Sequence, residues 1–158
     1  MPNKIVNGIV ELVEKISMLG VSIATVESCT GGMLSQYLTS KPGSSAWFVG
    51  GLVTYTNKAK IKFAGVSEQN LKLNGTISQA TAEEMARGGL EAFEADISIS
   101  ITGLAGPASD GIHKVGTVWI AWCTESKMHS KDFYFEGDRD EVRLKAVLEA
   151  CKGIESVL

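Results

Sequence analysis

Apolar positions recur at the start of the chain with a helical period. Ile5, Ile9, Leu12, Val13, Ile16 and Leu19 share one face of a helix over residues 3–19, with Asn3 placed to cap its start and Gly20 its end. The period then changes. Residues 21–26, Val-Ser-Ile-Ala-Thr-Val, make an apolar, β-branched run of the kind that forms a buried strand. The run stops at Glu27-Ser28-Cys29-Thr30-Gly31-Gly32, and a helical pattern resumes with Met33, Leu34, Tyr37 and Leu38. A second strand is predicted over 49–55, where the glycine pair Gly50-Gly51 marks a bulge or a close backbone approach. Three helices follow: 58–64, capped by Asn57 and stopped by Gly65; a short one from Ser67 to Gly75; and 79–94, capped by Ser78. The last of these buries Ala82, Met85, Ala86, Leu90 and Phe93, and Gly88-Gly89 permits close packing. Residues 96–101 alternate strictly, which predicts a strand with Ser98 and Ser100 on its less buried face. Residues 115–123 and 128–135 read as an antiparallel hairpin turning at Glu125-Ser126. Asp138 opens a final helix whose apolar face is Val142, Ala146, Leu148 (or Val147), Cys151 and Ile154.

Strands interspersed with helices predict an α/β fold: one domain over 1–158, a three-layer α/β/α sandwich whose terminal hairpin makes the sheet mixed. The length of 158 residues and a 44% hydrophobic composition are enough for one full core. A formal net charge of -3 argues against a sequence-independent nucleic-acid binder, which needs a basic surface. Cys29, Cys123 and Cys151 are an odd number without C-x-x-C spacing, which points to neither a disulfide framework nor a zinc site and is simplest in a reducing cytoplasm. His113 and His129 are too isolated to hold a metal. No stretch has the pattern of a signal peptide or the apolar length to cross a bilayer.

Hydroxyl residues and glycines cluster at Ser28 to Gly32, at Ser44-Ser45 and at Thr102 to Gly106. In an open α/β sheet, ligands bind beyond the carboxyl ends of the strands, where the first and third of these turns fall. At the first, free N–H groups of the helix start could attract an anion, and Gly31 and Gly32 would let a ligand approach. It is equally read as a capped helix behind a tight turn. No histidine is placed for a Ser-His-Asp set, but a serine can instead use a neutral lysine as base. Lys60 lies one helical turn from the Tyr55-Asn57 corner and can point back toward the strand end, whereas Lys58 and Lys62 face solvent. Cys29 has no evident base of its own. Arg139 and Arg143 stand one turn apart at a helix start, an unfavourable place for cations unless acids offset them or a ligand uses them.

Six blocks occur in order: Glu27 to Gly32, Gly43-Ser44-Ser45-Ala46-Trp47-Phe48, Val53-Thr54-Tyr55-Thr56-Asn57-Lys58-Ala59-Lys60, Gly103-Leu104-Ala105-Gly106-Pro107, Val115-Gly116-Thr117-Val118-Trp119 and Gly137-Asp138-Arg139-Asp140-Glu141-Val142-Arg143. Together they closely resemble the C-terminal domain of the CinA competence/damage-inducible proteins, a family that includes stand-alone nicotinamide mononucleotide deamidases. The resemblance covers essentially the whole chain. It implies hydrolysis of the nucleotide's carboxamide to nicotinate mononucleotide and ammonia in pyridine-nucleotide salvage, with no metal or organic cofactor. It implies Ser45 as nucleophile, Lys60 as general base, and Ser28, Tyr55 and Thr102 in the catalytic lining. It further implies Thr30, Gly31, Gly32, Asn57, Gly103, Arg139 and Arg143 as substrate-binding residues, with one of the arginines on the phosphate. Homo-oligomers are expected from the same resemblance, with Trp47 or Trp122 as interface aromatics. The chain departs from the family pattern at Ala108-Ser109-Asp110-Gly111-Ile112-His113-Lys114 and at Gly75-Thr76-Ile77-Ser78.

Overall fold

A computed structural model describes residues 2–158. Five strands, β1 (Ile23–Glu27), β2 (Phe48–Val53), β3 (Ile97–Gly103), β4 (Thr117–Cys123) and β5 (Met128–Tyr134), form one sheet in the order β2-β1-β3-β4-β5. β1 runs parallel to both β2 and β3, while β3-β4 and β4-β5 are antiparallel, so the sheet is mixed as expected. Helices α1 (Pro2–Ile16), α2 (Met33–Leu38) and α6 (Arg139–Lys152) pack together on one face. Helices α3 (Asn57–Ala64), α4 (Glu68–Asn74) and α5 (Gln79–Phe93) cover the other. The result is a three-layer α/β/α sandwich.

The main core lies between the sheet and the α1/α2/α6 layer and is built from Ile9, Val13, Leu34, Leu38, Ile99, Ile101, Ile120, Trp122 and Val147, among others. The helix starts follow local chemistry. Ser67, Ser78 and Asp138 each accept a hydrogen bond from the N–H three residues on, as their sequence positions predict. At α3 the cap is Thr56 and not Asn57: its hydroxyl accepts from the Ala59 N–H, and Asn57 is the first helical residue.

Two burial expectations are corrected. Ser98 and Ser100 are fully buried, because α5 covers the face of β3 that alternation alone would leave to water; the Ser100 hydroxyl donates to the Ala82 carbonyl. Trp47 and Trp122 are core residues, 7% and 1% exposed, and offer no surface to a partner. Trp122 donates its indole N–H to the Ala150 carbonyl at 2.8 Å, and Gly153 passes against its ring.

Helix α5 presses unusually close to its neighbours. A Cβ at Gly88 would stand 1.7 Å from the carbonyl oxygen of Ala64, the last residue of α3, and one at Gly89 would meet Val26 and Ser98. Gly88 therefore sets how near α3 lies to the sheet. Gly88→Ala is expected to destabilise the protein by about 3 kcal/mol, because a backbone carbonyl cannot swing aside as a side chain can. Urea unfolding measures this, and a loss under about 0.5 kcal/mol would mean that α3 adjusts freely.

Candidate active site

The parallel strands β1 and β2 and the neighbouring β3 all end on the same edge of the sheet, and a cleft of about 180 Å³ opens beyond them. Ser28, Cys29, Tyr55, Thr76, Ile77, Gly103, Leu104, Ala105 and Arg139 line it. At its floor the Lys60 ammonium nitrogen lies 2.9 Å from Ser28 Oγ and 2.9 Å from the Thr54 carbonyl oxygen. Lys60 projects inward from α3 and is fully buried, whereas Lys58 and Lys62 are exposed as the helical spacing predicts. Burial away from water disfavours the charged amine and brings its pKa down to about 8, against the opposing pull of the Cys29 thiol. Among the described residues no carboxylate forms an ion pair with it. A carbonyl can only accept, so one N–H of Lys60 is committed to Thr54. The contact to Ser28 can run either way: the charged amine donates to Oγ, and the neutral amine accepts the hydroxyl proton.

Ser45 is elsewhere, and the expected Ser45–Lys60 pair is not formed. Ser44–Ala46 make a 3₁₀ turn before β2, and the Ile23 N–H, at the start of β1, donates to the Trp47 carbonyl. Ser45 thus lies at the amino ends of the parallel strands, exposed, and the length of β1 (roughly 15 Å at the usual rise per residue) separates it from Lys60. The physical reason is directional: Ser28 follows its strand, while Ser45 precedes one.

The other expected site residues divide sharply. Ser28, Tyr55, Gly103 and Arg139 face the cleft. Arg139 donates to the Tyr55 hydroxyl at 2.7 Å and to the Gly106 carbonyl at 2.6 Å, so its guanidinium spans the mouth between two elements. Arg143 is turned inward. Its Nε and Nη2 donate to the carbonyls of Cys29 and Thr30, both at 3.1 Å, and fasten the Ser28 turn to α6. Asp140 lies 3.6 Å from the Arg143 guanidinium, whereas among the described residues no carboxylate pairs with Arg139. Thr102 is fully buried, with its hydroxyl donating to the Thr76 carbonyl, and Asn57 accepts from the Thr76 hydroxyl at 2.6 Å. Thr76, noted in the sequence only as an altered helix entry, is the residue that ties these two to the cleft.

At the Thr30-Gly31-Gly32 turn, part of the expected anion cradle is already occupied. Gly31 and Gly32 adopt φ of 57° and 102°, which side-chain-bearing residues rarely do, and so permit the turn. The N–H groups of Leu34 and Ser35 at the start of α2 are already taken by the carboxylate of Glu27, as is the Thr30 hydroxyl. No signal in the sequence separated Glu27 from a strand-end residue. Cys29 is buried, and desolvation first, then the charge of Glu27, pushes its thiol up to about 12, which suits a packed side chain and not a nucleophile. Among the described residues no three His, Cys, Asp or Glu side chains converge on a metal position. In the divergent loop, Asp110 accepts from His113 Nδ1 at 2.8 Å and from the N–H groups of Ile112 and His113; these bonds, the His113 side chain first, hold its carboxyl down to about 2.

The family model for the CinA C-terminal domain matches residues 7–158. The chain is 50% identical over 121 residues to a CinA-like protein of Chloroherpeton thalassium, covering 76% of this chain but only 29% of that larger protein. It is 44% identical over 135 residues to the nicotinamide-nucleotide amidohydrolase PncC of Escherichia coli, covering 84% of this chain and 82% of that one. A crystal structure of competence damage-inducible protein A from Klebsiella pneumoniae superposes with a TM-score of 0.91 at 32% identity, covering 94% of this chain and 96% of that chain.

The buried amine has a thermodynamic consequence. Lys60 has a folded pKa of about 8, below the 10.5 of the free side chain, so between those values the unfolded chain holds the extra proton. Stability contributed by this residue must then rise with pH across that window and be lost as pH falls through it. Thermal melts of wild type and Lys60→Met are expected to show this differential pH slope, and parallel curves would mean that Lys60 titrates normally.

Proposed function

This chain belongs to the CinA C-terminal domain family, and we propose that it is a nicotinamide-nucleotide amidase that converts nicotinamide mononucleotide to nicotinate mononucleotide and ammonia, with Ser28 as nucleophile and Lys60 as its general base. The observation that carries the mechanism is the 2.9 Å contact between Ser28 Oγ and a buried lysine amine that, among the described residues, pairs with no carboxylate. The substrate comes from the PncC relative, named for nicotinamide-nucleotide amidohydrolysis, with which the chain shares most of its length.

Attack on an amide needs an alkoxide-like oxygen, support for the oxyanion and a protonated leaving group. In the reactive form Lys60 is neutral and accepts the Ser28 hydroxyl proton. Ser28 Oγ bonds to the carboxamide carbon. The Cys29 N–H, next to the nucleophile and without a main-chain acceptor among the described residues, is the donor assigned to the developing oxyanion. The Lys60 ammonium then returns its proton to the departing nitrogen as the C–N bond breaks, releasing ammonia and leaving an ester on Ser28. A water, deprotonated by the neutral Lys60, cleaves that ester to the carboxylate and restores the serine. The Thr54 carbonyl fixes the amine throughout these transfers.

Arg139 is the phosphate ligand of choice between the two arginines. Its present acceptors are a neutral phenol and a carbonyl, which a phosphate dianion outbids, whereas Arg143 holds the backbone of the nucleophile turn. Tyr55 then borders the ribose side of the cleft.

Ammonia release from nicotinamide mononucleotide tests the reading. Ser28→Ala and Lys60→Ala are each expected to lower kcat by about a thousandfold or more, and Ser45→Ala to stay within about twofold of wild type. A Ser45→Ala enzyme without activity would return the nucleophile to the other end of the sheet. The wild-type rate is expected to climb with pH and level off above about 8, where Lys60 becomes neutral; a rate flat from neutral to mildly alkaline pH would remove Lys60 as base. Arg139→Ala is expected to raise KM for the nucleotide about tenfold or more, and to leave KM for the corresponding riboside unchanged.

A further inference from the structure

Glu27 is the last residue of β1, one position before Ser28, and its carboxylate is fully buried, with no cation paired to it among the described residues. A buried anion without a counter-ion is costly unless hydrogen bonds satisfy it, and here four do. Oε1 accepts from the Thr30 hydroxyl at 2.7 Å and the Leu34 N–H at 2.9 Å. Oε2 accepts from the Ser35 N–H at 3.0 Å and the Ser35 hydroxyl at 2.7 Å. With its own proton spent on Glu27, the Ser35 hydroxyl accepts from Thr25 at 2.7 Å. The chain from Glu27 to Ser35 is thus closed on itself by a single side chain, and Ser28 is the first residue inside the closed loop.

We infer that Glu27 is a positioning residue for the nucleophile: its carboxylate, by gathering Thr30, Leu34 and Ser35, fixes the turn that presents Ser28 Oγ to Lys60. The inference rests on the reading of Ser28 as nucleophile. Two further observations fit this geometry. Arg143 holds the same turn from its other side, through the Cys29 and Thr30 carbonyls, so donors and acceptors of one short segment are clamped by opposite charges on different elements. Glycine at position 51 is also required, since a Cβ there would stand 2.2 Å from Thr25 Oγ1 and 2.7 Å from Ser35 Oγ, inside the network. A simpler helix cap would need neither a full charge nor a glycine cut into the adjacent edge strand. Glu27 touches neither the cleft nor Lys60; it acts through Ser28.

The test measures kcat and KM for nicotinamide mononucleotide and the rate at which a fluorophosphonate labels Ser28, in wild type, Ser28→Ala, Glu27→Gln, Thr30→Val and Thr30→Ser. Glu27→Gln puts an amide where two donors must be accepted; Thr30→Val removes one donor without changing shape; Thr30→Ser keeps it. Glu27→Gln and Thr30→Val are expected to lose about tenfold or more in kcat and in labelling rate, with KM within about threefold and Thr30→Ser close to wild type, because small displacements of a reacting group cost rate and not binding. If Glu27→Gln fails to fold, the Thr30 pair decides alone. A folded Thr30→Val with kcat and labelling within about twofold of wild type, or a loss confined to KM, overturns the inference. Full turnover by Ser28→Ala would instead overturn the choice of nucleophile on which it rests.

Discussion

The structure depends on keeping one amine dry. Lys60 carries a charge in water and lies fully buried here, between a carbonyl and a hydroxyl that cannot neutralise it. Burying an ammonium without a carboxylate is expensive, and the cost is lowered by giving up the proton. That is the state a serine needs in its base. The surrounding fold serves this condition: α3 carries the lysine, α5 presses α3 onto the sheet through Gly88, and the strand end supplies Thr54 as an acceptor that tolerates either protonation state. A carboxylate in place of the Thr54 carbonyl would have favoured the charged amine and held the lysine in its unreactive form.

The contrast with Glu27 is instructive. Two buried ionisable groups lie close to Ser28, and their surroundings differ. Lys60 has only a carbonyl and a hydroxyl beside it, and burial lowers the pKa of its amine, whereas the Glu27 carboxylate accepts four hydrogen bonds. One group is left to exchange a proton and the other holds the turn. The same logic sorts the arginines. Arg143 spends its guanidinium on backbone carbonyls of the turn, and Arg139 remains at the mouth on neutral partners that a stronger anion can displace.

Much of this was legible in the sequence, and the failures have a common cause. Periodicity located all five strands and six helices, and cap residues marked the starts of α4, α5 and α6, because these signals are local. The resemblance named the right family and pointed to Ser28 and Lys60, which the fold brings to 2.9 Å of one another. What a linear reading lacks is which turns the fold brings together and which strand faces it covers. The resemblance implied Ser45 as nucleophile although its turn precedes a parallel strand, and the structure leaves it at the opposite end of the sheet from Ser28, which follows one. Ser98 and Ser100 alternate as an exposed face would, and only the packing of α5 shows that face to be covered. The free N–H groups expected at the start of α2 were spoken for by a residue seven positions back, a pairing that only the turn geometry reveals.

The most direct measurement is the ionisation of Lys60 itself. In protein labelled with ¹³C at lysine Cε, one resonance, missing from Lys60→Met, should titrate with a midpoint near 8 while the surface lysines titrate in their ordinary range near 10.5. That result would establish a neutral base beside Ser28 at the pH of turnover. A spectrum in which every lysine titrates near 10.5 would contradict it and leave Ser28 without a proton acceptor.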